Sequence, residues 1–324
     1  MSTMFPDHAS RLSYAVIEDI TEPEAFAEVL AGVTGVIHCA APLGVLAEDE
    51  PLDNTKDLLK PIIGGSLAIL ESIMRYGDSV HRVVATASFS GCLDLSKGQR
   101  PGYTYTDEDW NPMTLEQAQT SPPLVAYTIA KTAAERQMWA WMKRNKPRFT
   151  LSTILPPWVM GPYAAPSILR SMADLSSSPK SVWQNLVDAP AMPPFDFGAV
   201  VDTRDCAAAH ILALETPGAA DQRFLVGHEF QYRSVVADLH RSKHEVCGRL
   251  PDEIPGAPEI VYRLDVSKSE RILVLECRPV RKTMQAMMSQ ILALEGRDRG
   301  RVPAARVKGT GEAIFEGFRE VDLG

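Results

Sequence analysis

The feature that most constrains this chain is a regular alternation of short apolar runs with longer helix-like stretches. The apolar runs are rich in β-branched residues and have the length of strands; they lie at residues 12–18, 35–41, 82–88, 149–155 and 223–226. Helical patterns separate them, the longest at residues 56–76 and 124–145. This order predicts βαβ units, and therefore an α/β fold in which a doubly wound parallel sheet carries helices on both faces.

Composition and charge exclude several other classes of protein. The 324 residues are 45% hydrophobic and 23% charged, as in an ordinary globular protein. Lys and Arg number 33 against 41 Asp and Glu, and the net charge of −8 argues against binding to nucleic acid. The five cysteines form no C-x-x-C pair, so we expect neither a disulfide framework nor a metal site. The sequence has no signal peptide and no apolar stretch of ~18 residues, which predicts a cytoplasmic protein with no membrane partner.

The domain organisation follows from a change in the pattern. After the fourth strand-like run, prolines become frequent and the alternation loosens. We predict that residues 1–156 form the sheet region and that residues 198–227 return to the same sheet. Residues 157–197 and 228–296 would form a smaller substrate-side region, and residues 297–324 a flexible tail.

Three side chains suggest acid–base chemistry. Tyr127 and Lys131 lie four residues apart in a predicted helix, which places both on one face. An ammonium group beside a phenol favours the phenolate, so we expect the pKa of Tyr127 to lie below its usual value of about 10. Ser88 ends the third strand-like run, and side chains at the carboxyl ends of parallel strands line the ligand crevice. We therefore predict that all three meet at one cleft as a catalytic set.

Five motifs then identify a resemblance. They are VIHCAAP at 36–42, RVVATAS at 82–88, the Tyr127–Lys131 pair, LPPWVMGP at 155–162 and VDTRDCAAAH at 201–210. In their order and content, residues 12–296 resemble the extended short-chain dehydrogenase/reductases of the NAD-dependent epimerase/dehydratase superfamily. The likeness is greatest to fungal aldehyde and ketone reductases and plant dihydroflavonol reductases.

The resemblance implies a Rossmann-like fold and an oxidoreductase. Its reaction would reduce an aldehyde or ketone, or oxidise the alcohol, with NADP or NAD, in secondary-metabolite biosynthesis. In that reaction Ser88 would orient the carbonyl group and Tyr127 would protonate it. Lys131 would hold the nicotinamide ribose and lower the tyrosine pKa.

The resemblance also implies which residues contact the cofactor. Besides Lys131, they are Asp19 and Ile20 at the adenine, Ala40, Ala41 and Pro42 at the ribose and diphosphate, and Pro157 and Val159 at the carboxamide. Leu155 stands where the family usually has asparagine, so one polar contact near the nicotinamide differs.

One family element has no counterpart in this sequence. The family begins with a strand, a G-x-x-G-x-x-[GA] loop, a helix and a second strand, whereas only eleven residues precede Leu12 here. We therefore expect an N-terminally truncated Rossmann region. We also expect weak cofactor binding, because the loop's backbone N–H groups and a helix dipole hold the diphosphate. Residues 12–18 would then pair directly with 35–41 or leave two unpaired edges.

Two other functions are consistent with the same residues. The first is a cofactor-free isomerase or lyase that keeps Tyr127 and Lys131 as its acid–base pair. The second is a non-catalytic remnant that has lost dinucleotide binding. Titration with reduced cofactor separates the oxidoreductase from both alternatives. The choice between NADP and NAD stays open, because the residues that read the ribose 2′ position follow the second strand of the family.

Overall fold

The computed structural model describes residues 4–42, 52–195, 197–253 and 261–299. Its strands are β1 (Gly35–His38), β2 (Arg82–Thr86), β3 (Thr104–Tyr105), β4 (Thr150–Leu155), β5 (Trp158–Met160), β6 (Ala199–Asp202), β7 (Arg223–Leu225), β8 (His228–Glu229) and β9 (Arg263–Leu264). Its α-helices are α1 (Lys60–Tyr76), α2 (Leu115–Thr120), α3 (Pro123–Asn145), α4 (Ser177–Leu186), α5 (Thr203–Glu215), α6 (Tyr232–Arg241), α7 (Ser267–Leu273) and α8 (Val280–Arg299). Among these residues, no helix has both the length and the apolar character needed to cross a membrane.

The main sheet contains the predicted parallel strands. Its order is β1-β2-β4-β7, and every pairing within it is parallel. Four of the five predicted strands are therefore confirmed, although β1 and β2 end three and two residues earlier than predicted. Both strands end at the carboxyl edge of the sheet, where parallel α/β sheets place their ligands.

Helices cover both faces of this sheet, as the doubly wound pattern predicts. Alternate residues of β2 show the division: Val83 and Ala85 pack with α1 and α3, whereas Val84 packs with α5 and α7. This division follows from the period of two in a strand, which sends neighbouring side chains to opposite faces. The Rossmann-like class is thus confirmed by its layers, and the carboxyl ends of β1 and β2 lie beside α3.

A smaller apolar cluster forms beyond the main sheet. β5, β6 and β8 make a three-stranded sheet, and α4, α6 and α8 pack with it around one core. α4 was not predicted from the sequence, since prolines are frequent on both sides of it. Its helix forms because Val182, Trp183 and Leu186 lie on one face and are buried. The boundaries of a substrate-side region at 157–197 and 228–296 remain a prediction. α8 continues to Arg299, so the predicted tail begins within a helix, and residues 300–324 lie outside the described residues.

The prediction of a strand at 12–18 is wrong. The segment pairs with no strand among the described residues, and the side chains of Tyr14 and Val16 are 84% and 81% exposed. Its β-prone sequence cannot form a ladder without a neighbour, and β1 does not supply one. In the doubly wound strand order, two strands separate this segment from β1, and no described residues occupy those positions. Among the described residues, β1 likewise has no strand on its outer edge.

Candidate active site

α3 carries Tyr127 and Lys131 on one face, as predicted. The helix begins at Pro123, a residue whose fixed φ suits the first turn of a helix. It packs against α1, against β4 and against the short turn Phe89–Gly91 that follows β2. The Tyr127–Lys131 face therefore lies next to the carboxyl end of β2.

Lys131 is held in position by the end of β2. Its side chain is buried, and Nζ donates a 2.7 Å hydrogen bond to the carbonyl oxygen of Thr86. Burial lowers the pKa of Lys131 to about 8, while the nearby Glu135 and Cys39 act in the opposite direction. An ammonium group has three N–H donors, and this contact uses one of them.

The expectation of a lowered tyrosine pKa is wrong for this structure. Burial raises the pKa of Tyr127 to about 12, because a phenolate loses more solvation than the neutral phenol. Lys131, which would have opposed this effect, points its ammonium group at the Thr86 carbonyl. The Tyr127 hydroxyl is therefore fully protonated near neutral pH.

Ser88 lies where the sequence predicted, just beyond the end of β2. It caps the Phe89–Gly91 turn, its Oγ is 2.8 Å from Ser90 Oγ, and it accepts a 3.2 Å hydrogen bond from the Ser90 backbone N–H. A Cβ at Gly91 would lie 3.7 Å from Thr132 Oγ1, which shows how closely this turn approaches α3. The convergence of the Ser88 and Tyr127 hydroxyls on one substrate atom stays a prediction.

The residues matched to the adenine lie beside the start of α1. Asp19 is solvent-exposed, and its Oδ1 accepts hydrogen bonds from the Thr21 backbone N–H (2.8 Å) and from Thr21 Oγ1 (2.7 Å). These bonds hold the pKa of Asp19 below its usual value. Ile20 packs against Gly65 of α1, where an added Cβ would come within 2.9 Å of Ile20 Cδ1. This close packing explains why position 65 is occupied by glycine.

The other residues matched to the cofactor lie within strands of the two sheets or next to strand ends. Ala40 is exposed just after β1, and Ala41 and Pro42 are half-buried. Pro157 is buried next to Gly227, and Val159 lies in β5, paired with Val201 of β6. Their direct contact with a cofactor stays a prediction.

The polar groups that contact Thr86, the residue to which Lys131 is hydrogen-bonded, were not predicted from the sequence. Thr86 Oγ1 lies 2.7 Å from His210 Nε2, and His210 Nδ1 lies 2.7 Å from the carbonyl oxygen of Cys206. A carbonyl oxygen only accepts, so Nδ1 donates to it and Nε2 accepts from the threonine hydroxyl. Burial lowers the pKa of His210, which keeps this arrangement neutral. His210 belongs to the 201–210 motif, which was the available signal.

Glu135 is the second missed group, and it forms a buried ion pair. Its Oε1 accepts hydrogen bonds from Arg223 Nε (2.9 Å) and Thr153 Oγ1 (2.6 Å), and the two charged side chains are 2% and 10% exposed. Glu135 follows Lys131 by four residues, so helical spacing alone places it on the same face. Its partner Arg223 is 88 residues away in β7, which no local pattern indicates.

The groups at this edge fit one half of a dinucleotide. Lys131 has further N–H donors that ribose hydroxyls could accept, and Ala40, just after β1, is exposed among the described residues. None of the described helices begins at a glycine turn, the feature with which dinucleotide-binding folds hold a diphosphate. Within the same residues, no group of three or more His, Cys, Asp or Glu side chains could hold a metal ion.

Comparison with known proteins agrees with this geometry. The model of the NAD dependent epimerase/dehydratase family matches residues 6–227. The chain belongs to this family. It is 30% identical over 299 residues to the NADPH-dependent methylglyoxal reductase GRE2 of Saccharomyces cerevisiae, a match that covers 89% of this chain and 86% of the yeast protein. It is 32% identical over 279 residues to the ketoreductase azaE of Aspergillus niger, with 82% and 78% of the two chains covered.

A solved structure of a relative has the same fold. The crystal structure of yeast methylglyoxal/isovaleraldehyde reductase Gre2 complexed with NADPH matches with a TM-score of 0.82 at 29% identity. The match covers 91% of this chain and 88% of the yeast chain. The family resemblance drawn from the five motifs is therefore confirmed.

Proposed function

We propose that this family member is an NADPH-dependent reductase that converts an aldehyde or ketone into the alcohol. The observation that carries the proposal is the Tyr127–Lys131 face of α3, whose buried Lys131 is held against the carboxyl end of β2. The names of its relatives support both the carbonyl substrate and NADPH.

In this reaction each of the three predicted residues has one task. Bound NADPH supplies the hydride that reduces the carbonyl carbon. Tyr127 donates its hydroxyl proton to the carbonyl oxygen, and its raised pKa suits this task because the phenol is protonated at neutral pH. Ser88 donates a hydrogen bond to the same oxygen, and Ser90 Oγ holds its hydroxyl in place.

Lys131 completes the set by binding and by electrostatics. One N–H group is fixed on the Thr86 carbonyl, and the others would donate to the ribose hydroxyls of the cofactor. Its positive charge would offset part of the cost of forming a buried phenolate when Tyr127 releases its proton, while burial sets the raised pKa of Tyr127 in the free protein. Ala40, Ala41 and Pro42, together with Pro157 and Val159, would line the cofactor, while Asp19 and Ile20 would face its adenine end.

The test is NADPH oxidation by the purified chain with methylglyoxal and isovaleraldehyde as probe substrates. We expect turnover that Tyr127→Phe reduces by at least about 10²-fold, because the variant lacks the proton donor. The matched control is Tyr14→Phe, since Tyr14 is 84% exposed and lies far from α3 in the chain. No NADPH oxidation with any small aldehyde or ketone would refute the proposal, and substrate conversion without cofactor would favour the isomerase or lyase.

Calorimetric titration with NADPH and with NADH measures the cofactor preference. We expect dissociation constants well above the micromolar range, because none of the described helices begins at a glycine turn that would supply hydrogen bonds to the diphosphate, each worth about 1.5–3 kcal/mol. NADPH should bind more tightly than NADH. Micromolar binding would contradict the expectation and would mean that another part of the chain holds the diphosphate.

We also infer a cytoplasmic location. The described cysteines, Cys39, Cys92, Cys206, Cys247 and Cys277, are all free thiols, which fits a reducing compartment. Fractionation of cells followed by detection of the protein tests this inference.

A further inference from the structure

His38 is a buried polar side chain that the proposed reaction does not use. It is the last residue of β1, pairs with Ala85 of β2 and is only 8% exposed. Its Nε2 atom is buried and has no hydrogen-bond partner among the described residues. Native proteins rarely leave a buried polar atom without a partner, so this atom requires a structural explanation.

His38 also lines a small cavity together with Lys131. The cavity measures about 10 Å³, close to the minimum that a single water molecule occupies. Its polar wall is made by His38, Ser66, Thr86, Lys131, Glu135 and Thr153. A water molecule in a protein interior needs two to four polar partners, and this wall provides them.

We propose that this cavity is a binding site for one structural water molecule that links Lys131 Nζ to His38 Nε2, which makes His38 a positioning residue for the lysine. The donors and acceptors balance. The ammonium group of Lys131 donates to the water oxygen, and the water donates one proton to His38 Nε2. Its other proton goes to Ser66 Oγ, whose own proton is already donated to the carbonyl oxygen of Ile62 at 2.8 Å. The site itself stands on the geometry of the chain; its effect on turnover rests on the proposed function.

The bridge predicts a specific effect on the charge of Lys131. A water that accepts from the ammonium and passes its proton to His38 favours the charged lysine, so loss of the acceptor should lower the lysine pKa. Other titratable groups lie around the lysine: Tyr127 and Glu135 on its own helix, Cys39 just after β1, His210 from α5 behind Thr86, and Arg223 from β7, paired with Glu135.

The first experiment uses the unmodified chain and requires no activity. Nitrogen NMR of ¹⁵N-histidine-labelled protein reports the tautomer of each imidazole, and the His38 signal is identified by its loss in His38→Gln. Since burial lowers the pKa of His38 to about 4, the ring should be neutral near pH 7. We expect the Nδ1–H tautomer, with Nε2 as acceptor. An Nε2–H tautomer would overturn the proposal.

The second experiment follows the titration of Lys131 directly. The lysine signal is recorded by NMR of ¹³C-lysine-labelled protein and is identified with Lys131→Arg. We expect His38→Leu to lower the Lys131 pKa by about one unit, which is a tenfold change in its acid dissociation. His38→Gln retains a polar group and should keep the Lys131 pKa close to that of the unmodified chain. His81→Leu, at an exposed histidine before β2, should leave the Lys131 pKa unchanged. An unchanged pKa in His38→Leu, or equal shifts in the Leu and Gln variants, would overturn the proposal.

The third experiment connects the site to turnover. In His38→Leu, the alkaline limb of the pH dependence of kcat for NADPH-dependent reduction should move to lower pH by about one unit, as the Lys131 pKa does. The KM for the carbonyl substrate should change little. Absence of any reductase activity would refute the proposed function alone, because both NMR measurements would still report on the water site. A normal kcat profile together with a shifted lysine titration would refute only the link to catalysis.

Discussion

The ion pair between Glu135 and Arg223 offers a test of how the site is supported. Replacing Glu135 with leucine leaves the Arg223 guanidinium, in a side chain only 10% exposed, without its carboxylate. Arg223 would keep the backbone carbonyl oxygens of Asp107 and Asp109 as acceptors. Removing one partner of a buried ion pair typically costs about 3–5 kcal/mol, and the remaining carbonyl acceptors place the expected loss near the lower end, at about 3 kcal/mol.

A double-mutant cycle in urea measures this magnitude. Glu135→Leu and Arg223→Met should each lower the free energy of unfolding, and the double variant should lose less than the sum, because no unpaired charge remains. The matched control is Arg75→Gln, which breaks the exposed pair of Arg75 and Glu24 and should cost under about 1 kcal/mol. Additive losses in the cycle, or a cost for Glu135→Leu no greater than that of the control, would refute the reasoning.

Three further predictions follow from the geometry. Ser88→Ala should lower kcat for NADPH-dependent reduction by about 10²–10³-fold with an unchanged fold by circular dichroism, because one donor to the carbonyl oxygen is lost; an effect below tenfold would contradict its role. Gly227→Ala should destabilise the protein by more than about 2 kcal/mol in urea, because the residue has a φ of +110° and a Cβ would overlap the Val200 carbonyl oxygen. Gly102→Ala, with a φ of +83° and open space around it, should cost only about 1 kcal/mol, and equal losses would contradict the overlap argument. The folded-state pKa of His38 near 4 lies below the unfolded value of 6.5, so the unfolded chain binds the proton first and stability should fall as the pH drops from about 6.5 to 4. The loss attributable to His38 is about 3 kcal/mol, and urea unfolding of His38→Gln across this range should lack it.

Much of the fold was predictable because strands and helices leave local patterns. The strands β1, β2, β4 and β7 appeared as short β-branched runs, and helix α3 appeared with Tyr127 and Lys131 on one face. These features depend on a period of two or of 3.6 residues and on the residues nearby, which a sequence displays directly. The family followed as well, since five motifs occur in order along the chain.

Strand formation at residues 12–18 shows the limit of the local pattern. The run has the composition of a strand, but a strand exists only as a partner in a ladder, and the described residues place no neighbour beside it. α4 is the opposite case, in which flanking prolines suggested a loop although its apolar face packs into a core.

The chemistry of the site depends on long-range contacts in the same way. The spacing of Tyr127 and Lys131 suggested a lowered tyrosine pKa, whereas burial raises it and the Lys131 ammonium is turned to the carbonyl of Thr86. The partner of Glu135 comes from β7, at the far side of the sheet. A sequence reports which groups are available and how they are spaced along one element. Desolvation and the choice of hydrogen-bond partner are set only when distant elements pack together, so the tertiary structure alone decided them.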